Sequence, residues 1–311
     1  MDGIPTIGMR IKFHQPSYFS VKDDLGTWTS CLQLRYATIW IHAIWGGGLI
    51  SRVIATEFMR PMLNGKTGPA LIICQKQNGE EVEVVAKCSA GCEQKEKSLA
   101  AEVIGACLAA DLGLPILEPF LVELDPDFIA SVPDAMHREK MAVSNIVAFG
   151  SKHVTGQYSA WTNGNLISEA MLPRAVAVFA FDGIIQNPDR REGNPNCLVR
   201  GDEIRIIDHE LAFAHSLILF WKAPWKVGGL QNLEAPGFHI FRAGLKGKQI
   251  DYSPIRAAWA GLSDAQILAY GNAIPAEWAD ATNSVASALQ LIKDARDNID
   301  ACITEIQRVL Q

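Results

Sequence analysis

Two carboxylates and two amides surround a pair of short apolar runs in the second half of the sequence. In residues 180–213, AFDGIIQNPDRREGNPNCLVRGDEIRIIDHELAF, Asp189, Asn194 and Asn196 lie in a polar loop and Asp208 follows the run IRII. If both runs are strands of one hairpin, these side chains meet at one mouth of it. Carboxylate and amide oxygens suit Mg²⁺, and an Asp that binds no metal can accept a proton. Capping residues in a polar loop would explain any one of the four, but poorly explain all four in this order.

A lysine and a glutamate upstream are candidates for binding phosphates. Lys87 ends the alternating run VEVVAK, and Glu102 lies in the helix-forming segment EQKEKSLAAEVIGACLAADLGLPI. In kinase-like folds, a strand lysine held by a helix glutamate contacts the α- and β-phosphates of ATP. Both residue types are also common at surfaces, so the pair alone leaves both interpretations open. The order of elements favours the kinase-like one: hairpin, lysine strand, glutamate helix, strand, helical region and then the Asp/Asn motif.

The segment NGKTG, residues 64–68, contains a Gly-Lys-Thr sequence like that of a Walker A loop. A Walker A motif is excluded, because position 60 is Arg where the first glycine would stand, and because such a loop leads from a strand into a helix. As a flexible flap between two strands, the segment could bring backbone N–H groups to phosphates, and an ordinary hairpin turn explains it equally well. Its residues are Asn64, Gly65, Lys66, Thr67 and Gly68.

The elements that must position these residues suggest two lobes. Apolar and alternating runs from Val53 to Lys87, separated by glycine-containing turns, predict three antiparallel strands. A helix with the apolar stripe Leu99, Val103 and Cys107 should then end near Gly113, before a strand in EPFLVELDPD. We therefore expect an α+β fold with a small antiparallel N-lobe sheet, one N-lobe helix and a larger, mainly helical C-lobe. The predicted division is 1–45 as an extension, 46–125 as the N-lobe and 126–311 as the C-lobe.

Three further segments belong to the predicted C-lobe. Residues 169–185 are apolar on most sides and predict a buried helix that leads into the Asp/Asn motif. Residues 220–244 form an aromatic connection rich in Gly and Pro, and apolar residues at helical spacing from Leu289 to Leu310 predict one or two long amphipathic helices.

Composition excludes several classes of protein. The chain has 311 residues, 49% hydrophobic and 20% charged, as expected for a globular protein. Its net charge of -6 gives no electrostatic footprint for nucleic acid or an acidic membrane, and the pair Arg190-Arg191 is expected to be solvated or to bind a small anion. Seven scattered cysteines indicate buried thiols in a reducing compartment. No signal peptide or membrane span is recognisable, so we expect a cytoplasmic protein.

The sequence resembles the HipA-like kinases and is more distantly similar to type II phosphatidylinositol 4-kinases. IIQNPDRREGNPNCLV, followed by IRIIDHELAF, resembles the Asn-x-Asp-Arg…Asn-Pro-Asn…Ile-Asp-His pattern of HipA-like kinases, and EVVAKCSAG with the Gly-Leu-Pro after the helix resembles the family's lysine strand and glutamate helix. The resemblance covers roughly residues 53–242 and is strongest at 181–213. It implies a two-lobed kinase-like fold and phosphoryl transfer from ATP with Mg²⁺, with a protein Ser or Thr as the expected acceptor and with a regulatory partner protein left open.

The resemblance also implies roles. Lys87 would hold the phosphates, Glu102 would orient Lys87, Asp189 would be the catalytic base and Asp208 the main Mg²⁺ ligand. Either Asn194, by its five-residue spacing from the base, or Asn196, by its place directly before a strand, would be the second metal ligand, and we favour Asn196. The adenine-contacting backbone would come from Phe120, Leu121, Val122 and Glu123.

The motifs also depart from those of ordinary protein kinases. The chain has no Gly-x-Gly-x-x-Gly loop and no His-Arg-Asp, and His-Glu follows Asp208 in place of Phe-Gly. Two other interpretations therefore stay open. One is a nucleotide-binding pseudokinase or interaction module. The other is a metal-dependent hydrolase using Asp182, Asp189, Asp208 and His209, which would leave Lys87 without a role.

Overall fold

The computed structural model describes residues 49–62 and 65–311, and the predicted extension 1–45 lies outside these ranges. Three strands open the described chain and a run of helices ends it, so the fold mixes α and β structure as expected. The strands are β1 Ser51–Pro61, β2 Ala70–Lys76, β3 Glu81–Lys87, β4 Pro119–Glu123, β5 Val147–Lys152, β6 Ser159–Ala160, β7 Cys197–Arg200 and β8 Glu203–Ile206. The α-helices are α1 Glu96–Asp111, α2 Pro126–Ser131, α3 Ala135–Ala142, α4 Leu172–Ile184, α5 Arg242–Leu245, α6 Ser253–Ala260, α7 Asp264–Asn272, α8 Thr282–Asp297 and α9 Ile299–Leu310.

Five strands close into a small barrel in the order β1-β2-β3-β5-β4. The three predicted antiparallel strands are present, but the expectation of a purely antiparallel sheet is wrong, because β4 pairs parallel to β1. The reason is the connection between β3 and β4. Helix α1 carries the chain across the barrel, so β4 runs in the same direction as β3 and β1, and β5 fills the space between β3 and β4 as an antiparallel strand.

The barrel continues past the boundary predicted at residue 125. Helices α2 and α3 follow β4, and only then does β5, Val147–Lys152, pair with β3 and β4. The expectation of a single helix among the strands is therefore not met, since α2 and α3 also lie between two barrel strands in the chain. These inserted helices matter for the site, because Lys140 of α3 reaches the loop between β1 and β2.

The barrel interior explains the alternation read from the sequence. In β3, Val82, Val84 and Ala86 are buried while Glu81 and Glu83 are exposed, so Lys87 ends the strand at the edge of the apolar core. Gly150 of β5 is needed for the packing, because a Cβ there would come within 2.3 Å of Val84 Cγ1. The buried residues contribute roughly 1.5–3 kcal/mol for each large aliphatic side chain.

Helix α1 is enclosed more fully than its predicted apolar stripe suggested. Residues from Ser98 to Ala110 are all buried, because the barrel covers one side and the C-terminal helices cover others. Tyr270 of α7 donates a 2.7 Å hydrogen bond to Asp111, and Trp278 Nε1 donates to the carbonyl of Val147 at 3.0 Å. The helix ends as predicted near Gly113, whose φ of 71° lies in the left-handed region. The position of Glu102 is therefore set from several sides.

The Asp/Asn motif lies around a second, three-stranded sheet in the order β6-β7-β8. Strands β7 and β8 form the predicted antiparallel hairpin, with Cys197 opposite Ile206. The buried helix predicted before the motif is α4, and the tail forms the two amphipathic helices α8 and α9. All cysteines of the described residues are buried and free, as predicted, and Cys31 lies outside that part. No helix within 49–62 and 65–311 is long and apolar enough to cross a bilayer.

Candidate active site

Lys87 forms a three-way ion contact at the end of β3. Its Nζ lies 2.6 Å from Glu102 Oε1, 2.8 Å from Asp208 Oδ1 and 3.4 Å from Glu210 Oε2. The structure thus brings together three residues that the sequence predicted from separate motifs, together with Glu210, which was not predicted. The carboxylate oxygens of these residues all lie within 4.8 Å of one another.

Burial makes these contacts electrostatically strong. The side chain of Glu102 is 1% exposed and that of Lys87 is 12% exposed. Burial alone would lower the pKa of Lys87, but the charges of Glu102, Asp208 and Glu210 outweigh it and raise this pKa. Burial alone would raise the pKa of Glu102, but the charge of Lys87 and the contact with His209 outweigh it and lower this pKa to about 2. Lys87 and Glu102 therefore form a charged pair at neutral pH.

The carboxyl groups of Asp208 and Glu210 also contact Lys87, but their pKa values are raised. Burial and the charge of Glu102 raise the pKa of Asp208 despite Lys87, and the charge of Asp189 adds to this rise. Burial, followed by the charges of Asp208 and Glu102, raises the pKa of Glu210 to about 7. Three acidic groups around one ammonium therefore leave an excess of negative charge at this site.

Asp208 is held in an uncommon backbone conformation. Its φ is 64°, in the left-handed region that non-glycine residues rarely adopt. The next residue, His209, donates its backbone N–H to Glu102 Oε2 at 2.8 Å. Gly105 allows α1 to approach this closely, because a Cβ there would lie 2.8 Å from His209 Cβ. Glu102 thus binds Lys87 with one oxygen and positions the Asp208 segment with the other.

Asp189 forms the second group of predicted residues together with both asparagines. Its Oδ2 accepts hydrogen bonds from Asn194 Nδ2 at 2.7 Å and from Asn196 Nδ2 at 3.2 Å. Asn196 has a φ of 43° and lies directly before β7, as strand entry predicted. Because both amides contact the same carboxylate, the geometry does not by itself separate the two candidate metal ligands.

A buried arginine joins the two groups, and the motif quoted from the sequence places it directly after Asp189 without indicating its burial. Arg190 is 0% exposed, so the expectation that Arg190 is solvated is wrong. Its guanidinium donates to Asp182 Oδ2 at 2.6 Å and to the carbonyls of Asn196 and Ile207, the latter at 3.1 Å. The five donors of a guanidinium suit this role, because they can bind several carbonyls and a carboxylate at once. Arg190 therefore fixes the segments before Cys197 and before Asp208 relative to each other.

The same network accounts for two residues of the alternative hydrolase site. Asp182 and His209 are each 1% exposed. Asp182 accepts from Arg190 and lies 3.1 Å from His239 Nε2, and His209 Nε2 lies 3.2 Å from Arg190 Nη2. Burial would raise the pKa of Asp182, but Arg190 and His239 lower it below its usual range. Both residues thus have structural partners, which argues against a hydrolase that uses them. Arg190 is part of the motif quoted from the sequence, whereas His239 had no spacing signal there.

The backbone groups of the predicted adenine-contacting segment are already paired within the barrel. Phe120, Leu121 and Val122 are buried in β4, which pairs with β1 on one edge and with β5 on the other. Glu123 pairs in the same way and binds Arg52 at 3.0 Å. Main-chain groups in two ladders cannot also recognise a ligand. We therefore correct this prediction for all four residues.

The loop between β1 and β2 is only partly described, since Asn64 lies outside the described residues. Gly65 and Lys66 are exposed, whereas Thr67 is 6% exposed. Lys140 of α3 donates to the carbonyls of Thr67 at 3.1 Å and Gly68 at 2.6 Å. The second half of the predicted flap is therefore held by another element.

The donor set suits a hard divalent cation. Asp208, Asp189 and the asparagines offer carboxylate and amide oxygens, and neither cysteine nor neutral imidazole points to a softer metal. The excess of carboxylates around Lys87 fits such a cation as well. The residues present therefore fit Mg²⁺ or a similar ion.

A sequence model described as HipA-like kinase matches residues 55–223, more than half of the chain. The chain belongs to the HipA-like kinase family. This confirms the resemblance drawn from the motifs, and the matched range contains most of β1, all of β2 to β8 and every candidate site residue. Membership in this kinase family supports phosphotransferase activity.

Solved kinase structures are also similar to this HipA-like kinase. The Helicobacter pylori proinflammatory kinase CtkA is 12% identical, with a TM-score of 0.47 over 83% of this chain and 96% of that chain. The Golgi casein kinase with Mn/ADP bound is 11% identical, with a TM-score of 0.41 over 86% of this chain and 76% of that chain. A comparison with curated proteins finds no match.

Proposed function

We propose that the chain is a Mg-ATP-dependent kinase that phosphorylates a Ser or Thr hydroxyl of a protein. The observation that carries this proposal is the contact of one buried ammonium, Lys87, with both Glu102 at 2.6 Å and Asp208 at 2.8 Å. A lysine held by a helix glutamate beside a metal-binding Asp is the arrangement that phosphoryl transfer from ATP requires. A metal-dependent hydrolase would have no use for this lysine.

In the proposed reaction Lys87 binds the α- and β-phosphates, and Glu102 keeps its ammonium oriented. The high pKa of Lys87 keeps it charged over the whole physiological range. Glu102 remains ionised because its pKa is about 2. The fixed positions of both groups on β3 and α1 reduce the reorganisation needed when the phosphates bind.

Asp189 would accept or orient the acceptor hydroxyl. The hydrogen bonds from Asn194 and Asn196 hold its carboxylate in place, and a positioned base of this kind typically contributes about 10²- to 10⁴-fold to a rate. Asp208 and one asparagine, which we take to be Asn196, would hold Mg²⁺. A bound Mg²⁺ supplies charge neutralisation between the phosphates.

In this proposal, residues 153–158, which follow β5, recognise the adenine. Apart from His153, whose backbone N–H donates to the carbonyl of Glu83 at 2.8 Å, this segment lies outside the strands, and β5 lies beside β3, where Phe149 is opposite Lys87. Backbone groups free of a ladder are the ones that can recognise an adenine edge. The loop residues Gly65, Lys66, Thr67 and Gly68, with Asn64, would contact the phosphates through their backbone N–H groups.

The wider expectations remain part of the proposal. The two-lobed division into 46–125 and 126–311, with 1–45 as an extension, stays a proposal. The last strand of the barrel, which ends at Lys152, lies beyond its boundary at residue 125. A protein acceptor, a regulatory partner and a cytoplasmic location are proposed from the family resemblance. Neither nucleic acid nor a membrane is a proposed partner, since the net charge is -6.

The test is a melting experiment with ATP and Mg²⁺, each alone and together, followed by a turnover measurement. Ligand at a hundred times its dissociation constant should stabilise the protein by about 2.7 kcal/mol. We expect the largest rise in melting temperature with both together, and ADP formation that Asp189→Asn abolishes. Stabilisation without turnover under any acceptor condition would instead favour a pseudokinase, and the absence of any stabilisation would reject a nucleotide site.

A further inference from the structure

Glu210 is the one residue in contact with Lys87 that the proposed reaction leaves without a role. It stands two positions after Asp208, and its Oε2 lies 3.4 Å from Lys87 Nζ with the side chain 12% exposed. One ammonium therefore faces three carboxylates, which leaves two negative charges in excess when all three are ionised. Such an excess is costly in a partly buried site, where charges are poorly screened.

A nucleotide brings more negative charge to this place. When the ammonium of Lys87 binds the phosphates, Glu102 still orients it and also keeps the backbone N–H of His209 at 2.8 Å as a partner. Glu210 has no such second partner among its recorded hydrogen bonds in the described chain, where Lys87 alone contacts its carboxylate. Glu210 thus competes with the phosphates for Lys87 and repels them after it has lost that contact.

We infer that Glu210 is a specificity-determining residue that makes the site select metal-bound nucleotide over free nucleotide. The inference rests on the proposed function, since it requires that the site binds ATP or ADP. A divalent cation that binds together with the phosphates would offset the negative charges of Glu210 and Asp208 once Lys87 no longer neutralises them. Free nucleotide brings no such compensation, so Glu210 penalises it.

The structure also provides room for Glu210 to move away from Lys87. Its side chain lines a cavity of about 330 Å³, together with Ser98 and Ile104 of α1 and Ser287 of α8. This cavity leaves space into which a carboxylate displaced by phosphates can turn. The penalty on free nucleotide is therefore electrostatic and does not require a steric clash.

The experiment measures ADP affinity by titration calorimetry, once with excess EDTA and once with excess Mg²⁺, for the parent and for Glu210→Gln. The assays are run at pH 8.5, well above the ordinary pKa of a carboxyl group. We expect Glu210→Gln to bind metal-free ADP about three- to tenfold more tightly than the parent, from the loss of one repelling charge. With Mg²⁺ the two proteins should differ by less than about twofold, because the cation offsets that charge.

Two comparisons make the result specific. Glu210→Asp keeps the charge and should retain the parent's preference for Mg-ADP, whereas Glu139→Gln removes one charge from the exposed side of α3 and should also behave like the parent. Glu210→Ala is the second neutral variant if Glu210→Gln folds poorly, as judged by its melting temperature.

The possible failures are distinguishable. If the parent binds Mg-ADP but the neutral variants keep the parent's ratio of metal-bound to metal-free affinity, the role of Glu210 is rejected while the proposed function stands. If the parent binds ADP in neither condition, the proposed function is rejected and this inference with it.

Discussion

Glu102 connects Lys87 to His209 through its two carboxylate oxygens. Oε1 lies 2.6 Å from Lys87 Nζ and Oε2 accepts the backbone N–H of His209 at 2.8 Å. Helix α1 therefore sets both the ammonium proposed to bind phosphates and the backbone next to Asp208, the proposed metal ligand. A displacement of this helix would disturb both groups at once.

Replacing Lys87 by Ala should abolish nucleotide binding. Each charge-assisted bond to the phosphates contributes about 1.5–3 kcal/mol. The variant also leaves Glu102 buried without its counter-ion, so the free energy of unfolding should fall by roughly 3 kcal/mol. Calorimetry with Mg-ATP, below the lowered melting temperature, checks the prediction, and Lys97→Met on the exposed side of α1 serves as the control. Parent-like Mg-ATP affinity in the folded variant would place the nucleotide site elsewhere.

Changing Asp189 to Asn should separate catalysis from binding. The side chains are nearly the same in shape, and Asp189 lies at a loop mouth where it accepts from Asn194 and Asn196. We expect a nearly unchanged melting temperature, retained Mg-ATP binding and a fall in phosphoryl transfer of about 10²- to 10⁴-fold. Self-phosphorylation and ADP release are the measurements. Unchanged turnover would rule out Asp189 as the base.

Removing the amide of Asn196 should raise the Mg²⁺ concentration needed for half-maximal turnover more than removing that of Asn194. The comparison uses Asn194→Ala and Asn196→Ala. Because Asn196 has a φ of 43°, alanine also introduces backbone strain there, of roughly 1 kcal/mol. Asn196→Gly removes the amide without that strain and is the matched control. An equal or larger effect at Asn194 would mean that spacing from Asp189, and not entry into β7, selects the ligand.

Replacing Arg190 by Met should destabilise the protein far more than the same change at its neighbour. Arg190 and Asp182 are both 0% exposed in their side chains and lie 2.6 Å apart, so the variant leaves a buried carboxylate uncompensated at a cost of about 3–5 kcal/mol. Arg191, whose side chain is 45% exposed and lies 3.7 Å from Asp189, should cost less than about 1 kcal/mol. Denaturant unfolding measures both, and similar losses would contradict the buried network.

Acidification should weaken the fold through His239. Burial lowers the pKa of this imidazole despite its contact with Asp182, so the folded state holds it neutral while the unfolded chain protonates it below about pH 6.5. Unfolding then binds a proton, and stability falls as the pH drops through 6.5, by at most about 1.4 kcal/mol per unit of pH from this group. The lowered pKa of Asp182 adds a further loss only below about pH 4.

The measurement is the melting temperature between pH 7.5 and 5 for the parent and His239→Gln. The rings of Phe179 and Phe241 pack on His239, and Gln keeps a hydrogen bond to Asp182 available. The variant should show a flatter dependence, although His215, whose pKa burial also lowers, contributes equally in both proteins. Parallel curves would exclude His239 as the source.

The sequence by itself determined the local elements and predicted the chemistry of the site. Alternation in β3, the glycine at the end of α1, the hairpin of β7 and β8 and the two tail helices follow from short-range patterns, because backbone geometry and capping depend on neighbouring residues. The types and order of Lys87, Glu102, Asp189 and Asp208 likewise indicated phosphoryl transfer before any contact was known.

Tertiary structure alone decided what surrounds those residues. The parallel pairing of β4 with β1 follows from how α1 crosses the barrel, and β5 comes from beyond two inserted helices. This pairing removed the backbone of Phe120–Glu123 from adenine recognition. The charge of Arg190 and its exposed neighbour predicted solvation, whereas its burial depends on Asp182, eight residues before it, and on His239, which is distant in sequence. Glu210 joined the site for the same reason, since only the packing of α1 against residues 208–210 brings it to Lys87.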